Sequence, residues 1–600
     1  MKTTLVCSAA LFLALTVNAQ PDIEWETIIP VPAHASQNPL SVEVCDNGDI
    51  VFAYATSADD GSLLRIHRYD LDGNPVETVS WGTEIKNATC TPTLDGGIFV
   101  AGTAGVPQHG FDAKFIPGTP QPLWYRNSDT SLSPRDLHEK ADGGFFFHGL
   151  GTNLLSEVDR FGVNPQTYEY VHETWGHNAY PEDIEQLNDG SYLTCGWHTN
   201  DMNWSVYYVW FLEDGTQLNY NSSLTGAFHK SFATEQLMDG TLMTVGDTYI
   251  EGGFNDPSDY GVYVMRTTQG GDALWTYTVG DWQDNYIRRA FDVAIQSHAG
   301  DESAVWIVGE NQPVNSNTQQ AYITRFTLTS QQTEELFPGP GVLTSIKRTI
   351  DGGFICLGMT PDNEPWLVKL YPLLGNEPLH LSARLEKRYS LPPQGGQVRF
   401  DMLVSNALDE SENRSLRLDV ELPGGDIVTV DNVPWTFEPG QPLRLNSRAL
   451  QVPGGAPAGE YTMTLTLQNG TFTQSKAVLT FTKTGAASGP AQLSGTLLGD
   501  QPEPVVADAA LPGEYALNAV YPNPFNAATT IHVTLPATAE LNVTIYNITG
   551  QQVATVANST FNAGEHRLTF DASTLASGLY FVRAEVPGEL NAVQKVMLVR

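Results

Sequence analysis

The chain has 600 residues, 41% of them apolar and 10% aromatic, which is too long for one hydrophobic core and enough for several domains or a repeat array. Its 31 basic residues stand against 68 acidic ones, a net charge of −37 spread thinly over many loops. Such a chain repels nucleic-acid phosphates and anionic lipid, so neither is an expected partner. The charge reads as a solvated acidic surface suited to life outside a cell, with calcium-binding loops as the alternative.

The first residues, "MKTTLVCSAALFLALTVNAQ", place one lysine before an apolar run from Leu5 to Val17 and then small residues. That pattern is a secretory signal peptide, residues 1–19, with cleavage expected after Ala19. Cys7 lies inside the run without the small-residue pattern of a lipidation site. No other run approaches the length of a membrane helix. The mature chain is expected to be exported, monomeric and without a transmembrane segment. Export leaves Cys45, Cys90, Cys195 and Cys356, none at metal spacing. They read as lone buried thiols on strands, or as one disulfide joining Cys45 to Cys90 or Cys356.

Residues 20–376 repeat a phrase: "LDGGIFVAGT", "ADGGFFFHGL", "NDGSYLTCGW", "MDGTLMTVGD", "IDGGFICLGM". Aligned on the acid or its substitute, the anchors are Asn47, Asp95, Asp142, Asp189, Asp239, Glu302 and Asp351. The spacings are 48, 47, 47, 50, 63 and 49. Each unit has a short strand, an Asp-Gly turn whose glycine permits positive φ, and an apolar second strand. An alternating third strand follows, such as "NWSVYYVWFL", then a turn and a fourth strand carrying an aromatic residue. Four antiparallel strands repeated seven times describe a seven-bladed β-propeller. The last unit lacks a fourth strand, and "DIEWETIIPVP" near the mature start supplies one. Residues 22–31 should therefore pair into the last unit and close the ring, with Trp25 placed like Trp124 and Trp275. The anchor acids read as turn residues rather than catalysts. Asp136 and Asp183, six residues before an anchor, read as scaffold groups bonding backbone amides.

After residue 376 the period stops. Residues 377–484 alternate apolar and polar positions in short runs separated by Gly/Pro turns, an immunoglobulin-like β-sandwich by strand spacing. Residues 485–512, rich in Gly, Ala, Pro and Ser, read as a flexible linker. Residues 513–600 hold six or seven short strands, a second small sandwich. The whole chain is all-β.

The tail carries "YPNPFN" (Tyr521, Pro522, Asn523, Pro524, Phe525, Asn526), "IYNITGQQV", "ASGLYFVR" with Gly578 and Tyr580, and a terminal strand with Lys595. In that order, at the C-terminus, these motifs resemble the type A C-terminal sorting domain of type IX secretion substrates. "NAATT" departs from the usual Pro-Thr-Thr after the first motif. The resemblance implies passage through a dedicated outer-membrane translocon, hence a secreted or bacterial surface protein whose partner is the secretion machinery. It implies nothing about the cargo's activity.

Ligands of propellers reach the face opposite the Asp-Gly hairpins. Candidate binding residues there are Trp175, His177 and Tyr180; Trp197, His198, Asp201 and Trp204; and Trp282, Asp284 and Tyr286. Exposed aromatics beside Asn and Asp suit a glycan or a protein ligand, while plain packing between sheets would use the same residues. Glu251, Asp256 and Asp259 are candidate calcium ligands without EF-hand spacing; no other cofactor is implied. No nucleophile elbow, zinc motif or phosphate loop occurs, and no catalytic residue is assigned. The expected function is a non-enzymatic binding protein whose propeller is the recognition head. The alternatives are a secreted polysaccharide hydrolase or lyase and a structural surface-layer protein.

Overall fold

The computed structural model describes residues 23–599 except 31–40, 57–62, 83, 106–107, 129–133, 150–153, 161, 163–164, 170–178, 201–202, 224–227, 250–259, 280–285, 299–300, 315, 317, 372–378, 408–410, 439–441, 471, 488–490, 498–514, 522–524, 526–527, 536–538, 562–563 and 573–574. Every named element among them is a strand.

Seven four-stranded antiparallel sheets occur among the described residues up to 370. They span residues 42–81, 85–128, 134–169, 179–223, 228–279, 286–336 and 342–370, the last completed by Ile23–Ile28. The first strand of each sheet touches the first strand of the next, and the seventh touches the first. The sheets thus close a ring around a channel, a β-propeller. Second strands such as Ile50–Ala55 and Phe354–Met359 are buried at every residue because neighbouring sheets cover both faces.

The repeated acid turns the hairpin. A carboxylate oxygen of Asp95, Asp142, Asp189, Asp239 and Asp351 accepts the backbone N–H two residues on, at 2.9–3.4 Å. The other oxygen of Asp95 and Asp351 takes a third-strand cation, Lys114 at 2.6 Å and Lys369 at 2.9 Å. Glu302 departs from the expectation. It lies within the strand Asp301–Pro313, and its carboxylate accepts Met238 N of the preceding hairpin at 3.0 and 2.9 Å. A longer side chain without the turn glycine latches a neighbour instead of making a turn.

The ring closes where expected. Ile23–Ile28 pairs antiparallel with Pro365–Leu370, from Ile23 opposite Leu370 to Ile28 opposite Trp366. Lys369, fully buried, meets Glu24 at 3.0 Å and Asp351 at 2.9 Å. Trp25 donates its Nε1–H to Leu71 O (2.9 Å), and its ring lies against Gly73 (φ +81°). Trp124 repeats this with Arg160 O (3.1 Å) and Gly162 (φ +72°). A Cβ on either glycine would run into the indole.

Adjacent sheets are latched through the first strands. Asp136 accepts Ile184 N (3.1 Å), Asp183 accepts Thr234 N (2.7 Å) and Asp292 accepts Ile346 N (2.9 Å). Ser345 Oγ accepts Val42 N across the seam (3.2 Å). The four cysteines stand as free thiols rather than a disulfide. Cys45 and Cys90 face one apolar cluster between the first two sheets, where burial pushes the Cys45 thiol up to about 12.

The next domain packs a four-stranded sheet on a five-stranded one around a single core. Tyr461 donates its hydroxyl to Pro457 O four residues upstream (2.5 Å), the corner bond that immunoglobulin-like sandwiches also use. Part of the expected linker belongs to this domain: Ser494–Gly495 pairs with Leu450 and Gln451, and Leu493 and Leu497 are buried. Two leucines among small residues suffice to anchor the segment.

This sandwich docks on the hairpin side of the propeller. Arg444 pairs with Asp46, and Arg388 with Asp189 at 3.1 Å. Thr480 N donates to Asn188 O (2.9 Å), and Arg384 donates to Glu139 O (3.2 Å).

Residues 516–598 form a separate unit of a three-stranded and a four-stranded sheet. Phe525, from "YPNPFN", is buried there. Its N–H donates to Met597 O and its carbonyl accepts Val599 N, both at 2.9 Å, so the motif clamps the terminal strand. Tyr580 donates to Ala576 O (2.8 Å). Tyr521 ends the strand Ala516–Tyr521, Gly578 opens Gly578–Val586, and Lys595 is exposed on Leu590–Leu598. Pro522, Asn523, Pro524 and Asn526 lie outside the described residues.

Candidate functional site

Each first strand from the second sheet to the seventh slips register near its start, inserting one residue opposite its partner strand. The inserted residues are Lys86, Arg135, Glu182, Phe232, Phe291 and Thr344. A bulge takes its extra residue out of the strand register and re-aims the side chain. Five of these six line one cavity of about 440 Å³ together with Arg289, Glu310, Val342 and Met359. It sits at the end of the channel opposite the hairpins, and its size suits a small ligand or a short segment of a larger one.

The cavity is lined by charged and apolar groups together. Phe232 and Phe291 meet edge to face, centroids 5.7 Å apart. Glu310 is held by Arg289 Nη1 at 3.0 Å and by Gln319 Nε2 at 2.5 Å. Glu182 accepts Trp197 Nε1–H at 3.1 Å. Burial raises the Glu182 carboxyl above its ordinary range against the pull of Arg135. Arg135 Nε forms an ion pair with Glu182 Oε2 at 3.6 Å, beyond hydrogen-bond reach, and makes no hydrogen bond among the described residues. Asp247, just behind, is buried 4.0 Å from Arg289, and burial pushes its carboxyl up to about 7.

Deeper in the channel lies a second cavity of about 320 Å³, lined by Glu43, Asp136, Asp183, Glu185, Glu235 and Lys347 and reached by Arg384 of the sandwich. Burial pushes Glu43 and Glu235 up to about 7. The charge of Glu43, 3.9 Å away, is the largest influence holding Lys347 protonated. Among the described residues no three His, Cys, Asp or Glu side chains are grouped to hold a metal ion.

The structure brings only part of the expected aromatic site together. Tyr180 stacks on Trp197, centroids 4.0 Å apart and planes 12° off parallel. Lys230 Nζ sits 4.6 Å from the Trp197 centroid and must take the other face. His198 is buried beside Tyr207 rather than facing a ligand. Tyr286 is exposed at the start of its strand, paired with Pro313 and apart from the cavity lining. Trp204 lies on Asn203–Phe211 opposite Thr199. Trp175, His177, Asp201, Trp282 and Asp284, and the calcium candidates Glu251, Asp256 and Asp259, lie outside the described residues. The bulge residues were absent from the expected site. One signal was present: Arg135, Glu182, Phe232 and Thr344 each stand seven residues before a repeat acid.

Residues 519–599 match the family described as the secretion system C-terminal sorting domain. The protein is exported through the type IX secretion system to the cell surface or the medium, and its tail engages that machinery. No curated protein matches the chain. Among solved structures it is similar to a streptogramin B lyase (15% identity, 59% of this chain and 98% of that one, TM-score 0.39). It is also similar to the hydrazine synthase of Kuenenia stuttgartiensis (11%, 58% and 98%, TM-score 0.40). A third is YCF48 from Cyanidioschyzon merolae (10%, 57% and 98%, TM-score 0.35). No helix among the described residues is long and apolar enough to cross a membrane.

Proposed function

We propose that this is a binding protein of the cell exterior whose propeller is the recognition head. Its site is the bulge-lined mouth of the channel, the sandwich is an immunoglobulin-like spacer, and the tail is the export signal. One observation supports this most: side chains from five different repeats, each put out of register by a bulge, converge on one cavity. A scaffold that only needed to close a ring has no use for five residues shifted out of strand register towards one point. The sandwich meets the hairpin side, which leaves the mouth as the face a partner would approach.

The test is an array of extracellular glycans and peptides probed with the full mature protein and with Thr344→Trp, which fills the cavity from its rim. Retention lost in the variant, with an unchanged melting temperature, supports the reading. Retention indifferent to the indole sinks it. Product release from a polysaccharide panel by the unaltered protein would favour the hydrolase or lyase reading instead.

A further inference from the structure

The geometry points to a peptide as the ligand of this mouth, one that carries a carboxylate close to an apolar side chain. The inference rests on the mouth being the binding site.

The apolar side comes first. Phe232, Phe291, Val342 and Met359 together present two rings, a branched aliphatic group and a thioether. None offers a hydrogen-bond donor from its side chain, and the thioether sulfur is only a weak acceptor. A sugar carries a hydroxyl on most carbons, and burying these against such a wall leaves them unpaired at a cost of about 1–3 kcal/mol each. An apolar peptide side chain gains by the same burial. The indole that would stack a sugar, Trp197, has one face under Tyr180 and the other under the Lys230 ammonium. Its surface is spent on packing.

The charged side selects the second group. The two acids of the mouth are already engaged, Glu182 by the Trp197 indole and Glu310 by Arg289 and Gln319. Arg135 is held more loosely: its Nε forms an ion pair with Glu182 Oε2 at 3.6 Å but makes no hydrogen bond among the described residues, and its side chain is 34% exposed. A buried Nε–H without an acceptor is uncommon in a folded protein, and a guanidinium still partly open at the cavity has room to take one. A planar, permanently charged fork recognises a carboxylate above other groups. Round the ring, Arg135, Glu182, Phe232 and Phe291 come from consecutive sheets, so the cationic and apolar contacts share one cavity with Glu182 between them. An extended peptide puts side chains two residues apart on one face about 6.6 Å from each other, so one strand can present both groups to the same cavity.

The carboxylate could be an Asp or Glu side chain or a free C-terminus, and the experiment separates them. Fluorescein-labelled Gly-Ser-Asp-Gly-Leu-Gly-amide, Gly-Ser-Gly-Ser-Gly-Leu with a free C-terminus, and the uncharged Gly-Ser-Asn-Gly-Leu-Gly-amide are titrated by anisotropy with the mature protein. Arg135→Gln and Phe232→Ala follow, each checked by melting temperature, with an oligomeric hexuronate as competitor. The expected result is binding of at least one acidic peptide about tenfold tighter than the uncharged one. Arg135→Gln should erase that difference without altering the uncharged peptide, and Phe232→Ala should weaken all three. If Phe232→Ala fails to fold, Thr344→Trp reports occupancy of the cavity in its place. Equal binding of charged and uncharged peptides, or displacement by the hexuronate at lower concentration than by peptide, overturns the inference and leaves the mouth as a site. No Thr344→Trp-sensitive binding of any probe overturns both.

Discussion

Asp183 of the fourth sheet accepts a hydrogen bond from the backbone N–H of Thr234 in the fifth, at 2.7 Å across 51 residues of chain. Burial, and then the neighbouring Asp136 carboxylate, keeps the Asp183 carboxyl well above its ordinary range. The group serves as an acceptor and its charge is a burden. Asp183→Ala leaves a buried N–H unpaired and should cost about 1–3 kcal/mol. Asp183→Asn keeps an acceptor oxygen and should cost less than half as much at pH 8. Equal losses in urea unfolding of the two variants would show that the charge itself holds the sheets together.

The seam invites a sharper test. Lys369 is fully buried between Glu24 of the N-terminal strand and Asp351 of the last hairpin. Lys369→Ala strands two carboxylates and should lower stability by about 3–5 kcal/mol. Limited proteolysis should then cut first near residues 22–31. A variant that melts within a degree of the parent would remove the ion pairs from any role in closure.

Stability should depend on pH in a defined direction. Burial pushes Glu43, Glu139, Glu235, Asp247 and Glu302 up to about 7. The folded chain therefore binds protons near neutrality that the unfolded chain takes up only near pH 4, and these groups add stability as pH falls from about 8. Burial also lowers His67, His138 and His229 to about 4. Those imidazoles protonate in the unfolded chain below about 6.5, so their contribution is lost as pH falls from there towards 4. Above about 6.5 the carboxyls dominate, joined near pH 8.5 by the buried Cys45 thiol, whose raised value acts in the same direction. The melting temperature should rise between pH 8.5 and 6.5 and more gently below, because the five carboxyls outnumber the three imidazoles, and calorimetry in buffers of low ionisation enthalpy checks this.

Arg444 and Asp46 join the sandwich to the first hairpin, and Arg444 is nearly buried. Burial lowers the Arg444 guanidinium to about 10. Removing Asp46 leaves a desolvated cation, so Asp46→Ala should cost more than the Asp46→Ala, Arg444→Leu pair. A double-mutant cycle giving a coupling near zero would mean that the docking seen here contributes nothing through this pair.

Phe525→Ala removes a buried ring and loosens the clamp on the terminal strand, a loss of about 3–5 kcal/mol from the tail unit. Export should fall with it. Comparing cell-retained and medium fractions of the full chain measures this. Normal export with a protease-sensitive tail would show that the machinery reads the motif without needing its fold.

Much of the architecture was written locally. The acid-glycine turns, the apolar second strands, the orphan strand around Trp25 and the tail motifs all depend on residues within a few positions of each other. Turn geometry and strand burial act at that range, so the repeat, the ring closure and the export signal could be read directly. The latches of Asp136 and Asp183 were legible for the same reason: each stands at a constant distance before a turn. Glu302 misled because it matches the anchor position in spacing but belongs to a longer hairpin. The binding candidates fared differently. Trp197 and His198 look exposed in a string of letters, yet Tyr180, Lys230 and Tyr207 enclose them.

The recurrence of the repeat, the acid that turns most of its hairpins and the route of export were therefore set by the sequence alone. Which side chains face the channel mouth was decided only in three dimensions. One inserted residue flips every later side chain to the opposite face of a strand, and whether a residue is inserted depends on a partner strand, not on its own neighbours. Arg135, Glu182, Phe232, Phe291 and Thr344 are roughly fifty residues apart in the chain and share a cavity because six such slips recur around a closed ring.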